Sequence, residues 1–143
     1  MGIYTMLAFF SLVMYLALSS PLRYERLKGS FKGNLRFDKD YISIDETKYN
    51  ISEIKKIEID NLDIRGKWVN MTLDFEPKRS NGVKNFIKLY LKTGDIIEIN
   101  FLQTKNHNVK TCKEEFISYY DQNKISWNNL GWVVDVKKEN IVK

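Results

Sequence analysis

The sequence predicts a mainly β domain, a small barrel or sandwich of about seven antiparallel strands with one C-terminal α-helix, preceded by a transmembrane helix. Three observations predict it. Residues 3–20 (IYTMLAFFSLVMYLALSS) carry no charge. From residue 34 to residue 101 apolar and polar side chains alternate with a period of two, in short runs broken by turn residues. From residue 109 the period lengthens to three or four.

The apolar run comes first. At about 1.5 Å per residue its helix would be roughly 27 Å long, close to the hydrocarbon thickness of a bilayer. Leu7, Phe9, Phe10, Leu12, Val13, Leu16 and Leu18 leave no polar stripe, unlike a surface helix of a soluble domain. Just beyond it stand Arg23, Arg26, Lys28, Lys32, Arg36 and Lys39, against Glu25 and Asp38. That bias orients residues 1–21 as a single-pass anchor with its N-terminus outside and the following domain in the cytoplasm. Two other readings fit the same run. The small residues Ala17, Ser19 and Ser20 resemble a signal-peptide cleavage region, although no cationic n-region precedes them; a buried core helix is the other. Residues 22–33 read as a basic juxtamembrane tether, in which Arg23, Arg26, Lys28 and Lys32 form a candidate lipid-surface patch.

Residues 34–136 form the folded domain. Leu35 and Phe37 alternate with Asn34 and Arg36, and the turn at residues 38–40 leads to Ile42 and Ile44 on one face. Asp45-Glu46 turns again before Tyr49 and Ile51. Ile57 and Ile59 then face inward, with Lys56, Glu58 and Asp60 outward. After a loop at residues 61–67, Val69, Met71, Leu73 and Phe75 alternate without error, which predicts a strand over residues 68–75. Pro77 ends it, and Asn81-Gly82 is the tightest turn signal of the next loop. Ile87, Leu89 and Leu91 point inward from a strand whose outward row is Phe86, Lys88 and Tyr90. Gly94-Asp95 then closes a hairpin to Ile97, Ile99 and Phe101.

Val109, Cys112, Phe116 and Tyr119 or Tyr120 mark one amphipathic helix, with Asn106 or Asn108 as its N-cap and Asn123 as its stop. The apolar tail at residues 125–136 is expected to pack on the domain, and residues 137–143 to fray.

This order, a meander of strands and then a single helix, resembles pleckstrin-homology-like domains, in particular a bacterial membrane-associated branch. The run NLRFDKDYISIDETKYNISEIKKIEI is similar to the opening strands of such domains, and SNGVKNFIKLYLKTGDIIEINF to the hairpin before the helix. The resemblance covers about residues 31–123 and rests on strand order and turn placement; it carries no ligand residue over. A lipocalin-like or other small barrel fits the same strands. The resemblance implies a lipid-headgroup or peptide binder.

Composition narrows the function. The chain's 143 residues have a net charge of +5, part of it in the juxtamembrane cluster, so the folded part has no strong polyanion footprint and nucleic acid is not expected. The single Cys112 precludes an internal disulfide. The single His107 has no spaced partner for a metal site or a catalytic triad, and neither a P-loop nor an HExxH or CxxC motif occurs. The expectation is a noncatalytic, membrane-anchored binding or assembly module with no cofactor and no metal. Its candidate surfaces are the lipid-facing patch, the row Phe86, Lys88 and Tyr90 as a partner surface, and a basic loop of Lys78, Arg79 and Lys84. The competing reading is an exported β-barrel-like domain that binds an apolar ligand after cleavage of residues 1–20.

Overall fold

The computed structural model describes residues 2–27, 33–69 and 75–135. Helix α1 (Ile3–Ser19) buries none of its residues and passes into a 3-10 turn at Ser20–Leu22. The run Ile3–Leu22 is long and apolar enough to cross a membrane.

Two three-stranded antiparallel meanders follow. The first contains β1 (Leu35–Phe37), β2 (Tyr41–Ile44) and β3 (Thr47–Asn50); the second contains β4 (Ile54–Asp60), β5 (Asn85–Leu91) and β6 (Ile96–Phe101). Fully buried Ile51 sits at the corner between them. Thus six strands stand among the described residues, not seven. Of the strand expected over residues 68–75, residues 70–74 lie outside the described part. Trp68 makes an isolated bridge to Arg79, and Phe75 lies in a bend.

The period-two reading places the inward faces of β5 and β6 correctly, while Val69 and Phe75 of the run at residues 68–75 are exposed; β4 shows how an apparent error in the pattern is absorbed. Ile54 and Ile57 are both buried although three residues apart. Strict alternation would put them on opposite faces. The register moves from Ile54↔Leu91 to Lys56↔Tyr90, so Lys55 is an extra residue on β4 and the bulge restores Ile57 to the core.

The second correction concerns the C-terminal end. A 3-10 turn (Val109–Cys112) opens α2 (Lys113–Asp121), with Asn108 as the cap whose side chain accepts from the Lys110 amide. Asn123, with φ +57°, reverses the chain behind it. The apolar tail is a further helix, α3 (Trp127–Val134), capped by Ser126, whose hydroxyl accepts from the Asn129 amide. Leu130, Val133 and Val134 are its buried face.

The chain around α3 closes the outer edge of β4. The Ile57 amide donates to the Lys124 carbonyl at 2.7 Å. The Asn129 side-chain amide accepts from the Ile59 amide at 3.0 Å and donates to the Ile59 carbonyl at 2.7 Å. A side-chain amide here does the work of a neighbouring strand, which protects an edge that would otherwise template pairing with another chain. The core lies between the two sheets and these helices, with Ile42, Ile87, Leu89, Phe116, Tyr119 and Leu130 fully buried.

Candidate binding cleft

β1 and β6, edge strands of the two sheets with no further strand beside them among the described residues, flank a cleft of about 1650 Å³. Its apolar wall is made by Leu35 and Phe37 of β1, Ile44 of β2, Ile99 and Phe101 of β6, and Val109 at the start of the helical segment. Those on the strands are the inward positions of the period-two pattern. Leu35, Phe37, Ile44 and Ile99 are only half-buried, because no strand lies across this opening among the described residues. The rim carries both signs of charge, with Glu25, Asp45 and Glu98 against Arg26 and Lys84. An apolar floor with a mixed polar rim suits a ligand that has an apolar body and polar ends.

One end of the cleft is fixed by a buried polar knot. Asn85, at the start of β5, is fully buried. Its side-chain N–H groups donate to the carbonyls of Asp63 (2.8 Å), Gly82 (2.9 Å) and Phe101 (3.2 Å). Its oxygen accepts from the Asp63 amide (2.9 Å) and the Gln103 side chain (3.0 Å). Gln103, also fully buried, donates to the Asn61 carbonyl and accepts from the Val109 amide, tying the end of β6 to the helical segment. Asp63 Oδ2 takes the Lys84 amide at 3.0 Å. A loop that would otherwise bury orphaned backbone groups is thereby satisfied.

Gly82 belongs to the same knot. With φ at +76°, it lies where a Cβ would stand 2.4 Å from the Gln103 carbonyl oxygen and 2.5 Å from the Arg65 nitrogen. Both neighbours are backbone and cannot swing aside. Gly82→Ala is therefore expected to cost at least about 2 kcal/mol of stability, from strain and close contact together. Thermal unfolding followed by circular dichroism checks this, and an unchanged midpoint would contradict it.

The structure separates the residues expected to form sites. The row Phe86, Lys88 and Tyr90 lies on the face of the second sheet opposite the core, and is occupied by its own neighbours. Lys88 pairs with Glu98 at 2.7 Å, and the Tyr90 hydroxyl donates to Glu58 at 2.9 Å. Hydrogen bonds from Lys56 and Tyr90 hold the Glu58 carboxyl below its ordinary value. Phe86 stands opposite Asp60 and is half-buried.

The three basic-loop residues stand in different surroundings. Lys78 is buried. Arg79 donates to the Pro21 carbonyl at 2.8 Å, and Lys84 pairs with Glu25 at 2.8 Å.

Of the juxtamembrane patch, Arg23 is half-buried and bonds through its guanidinium to the Phe75 carbonyl, and Arg26 lies on the cleft rim. Lys28 and Lys32 lie outside the described residues. His107 is exposed, with its amide on the Thr104 hydroxyl. Cys112 is half-buried against the core, and burial pushes its thiol pKa up. No group of three or more His, Cys, Asp or Glu side chains is placed to hold a metal ion among the described residues.

No protein-family model, curated protein or solved structure matches this chain.

Sequence reasoning missed the cleft and the knot. Asn61, Asp63 and Gln103 are scattered through loops and read one by one as loop residues, while Asn85 falls within a strand. Only Asn85 carried a signal, a polar residue at an inward position of a strand that is otherwise apolar on that face.

Proposed function

We propose that this chain is a noncatalytic binding module held at a membrane by α1, and that its ligand presents an apolar surface to the cleft between β1 and β6. The observation that carries the reading is that cleft, whose apolar floor lies between two strand edges that are unpaired among the described residues. Two further observations support it. The side chains of α1 are left free of the domain, as a lipid-facing helix requires. Arg23 and Arg26 follow it, which orients the N-terminus outside and the domain in the cytoplasm. Two antiparallel meanders followed by α2 also keep a pleckstrin-homology-like arrangement as the fold we propose.

The exported alternative uses the same cleft with residues 1–20 removed. Topology separates the two. A fluorescent-protein fusion at the C-terminus is expected to be bright, and an alkaline phosphatase fusion at the same point inactive. An active phosphatase, or a mature chain starting near Ser20, would overturn the anchor.

A further inference from the structure

The chain just after α1 is not a loose tether. Arg79 donates its amide to the Arg23 carbonyl at 3.2 Å, and Glu25 donates its amide to the Arg79 carbonyl at 2.8 Å. On the other side of Arg79, Ser80 donates to the Lys67 carbonyl at 2.9 Å and Val69 to the Lys78 carbonyl at 3.0 Å. The three segments thus form a short ribbon held by two isolated bridges, in which Tyr24 and Trp68 are both partners of Arg79. Bridge partners carry their side chains on the same face. On that face the Arg79 guanidinium lies 5.5 Å from the Trp68 ring centre, and the Arg65 guanidinium 5.5 Å from that of Tyr24. Both rings remain open to the outside, Trp68 47% exposed and Tyr24 42%.

We propose that this aromatic–arginine face is a docking surface for the anionic headgroups of the membrane that α1 crosses, so that the domain is seated on the bilayer and not swinging from it. The inference rests on α1 being a membrane span. Given that, position and chemistry point the same way. The ribbon begins at Arg23, directly after the 3-10 turn, and its hydrogen bonds fix it to the helix exit, so its open face stands at headgroup depth. Tryptophan and tyrosine belong at that depth, with an apolar body and a polar tip. Exposed Leu22 and Phe75 add apolar surface beside them.

The charge is complementary to anionic lipid. Arg65 and Lys67 are exposed, and Glu25 is held by Lys84. Each cation held near an anionic surface shifts the balance toward docking by about five-fold.

The test uses the full chain in nanodiscs of phosphatidylcholine and phosphatidylglycerol, with Trp127→Phe and Trp132→Phe so that Trp68 is the sole tryptophan. Lipids brominated near the headgroup are expected to quench Trp68 and shift its emission to the blue. Arg65→Gln should lower the ratio of docked to undocked chain about five-fold, and discs of phosphatidylcholine alone should lower it further. A companion chain, with Phe10→Trp as its sole tryptophan, reports α1 itself through lipids brominated deep in the acyl chain. Trp68 unquenched while Phe10→Trp is quenched overturns the docking surface and leaves the anchor standing. Both unquenched overturns the anchor, and the docking surface with it.

Discussion

Asn85→Asp is expected to be among the most damaging single substitutions in the domain, although it changes one atom. The wild-type amide is oriented by its surroundings, three carbonyl oxygens on one side and two N–H donors on the other. A carboxylate would set a second acceptor against the carbonyls of Asp63, Gly82 and Phe101 in a site without solvent access. Burying an uncompensated charge or leaving several polar groups unpaired costs on the order of 3–5 kcal/mol. The cost should also depend on pH in a diagnostic direction. The protonated acid is favoured in the fold, so the introduced group's folded pKa lies above its unfolded one. The variant is then most stable below the unfolded pKa and loses stability as pH rises through the folded one. Pulse proteolysis in urea at pH 5 and pH 7, on wild type and variant, measures both effects. A deficit under about 1 kcal/mol, or one that grows on acidification, would contradict the role given to Asn85.

Phe116→Ala is the second large effect, through packing. The Phe116 ring is fully buried on α2, with its centre 4.9 Å from that of Phe37 on β1 and 5.5 Å from that of Tyr119. It joins the helix to the smaller sheet, and Phe37 is also part of the cleft wall. Loss of transfer energy, the cavity left behind and the aromatic pair contacts together give about 3–5 kcal/mol. The effect should extend to β1, so amide exchange at Leu35–Phe37 is expected to accelerate more than at β5. Equal acceleration in both strands would show that α2 does not hold β1 in place.

These two residues also show what local sequence carries and what it does not. Phe116 was legible, because it recurs with Val109, Cys112 and Tyr119 at helical spacing. So were β5 and β6, whose inward apolar sides alternate cleanly. Residues 127–134 (WNNLGWVV) were harder. Two valines, two tryptophans and a glycine suit a strand as well as a helix. The Ser126 cap and the spacing of Trp127, Leu130, Val133 and Val134 were the signals for α3.

Asn85 was legible only as an oddity, since its bonding partners Asp63, Gly82, Phe101 and Gln103 come from three separate segments of the chain. The cleft was not legible at all. It exists because two sheet edges face each other across a gap, and no run of residues encodes that distance.

In the function we propose, the cleft between β1 and β6 binds an apolar group. Photolysis of the reconstituted full chain with a diazirine-bearing long-chain probe, mapped by peptide mass spectrometry, tests it most directly. Ile99 is half-buried on the cleft wall, so Ile99→Lys can place its ammonium in the opening without entering the core. Adducts are expected on the peptides carrying β1 and β6 in the wild type, and their loss in Ile99→Lys while labelling of α1 persists. Adducts on α1 alone, or cleft adducts that Ile99→Lys leaves unchanged, would contradict it.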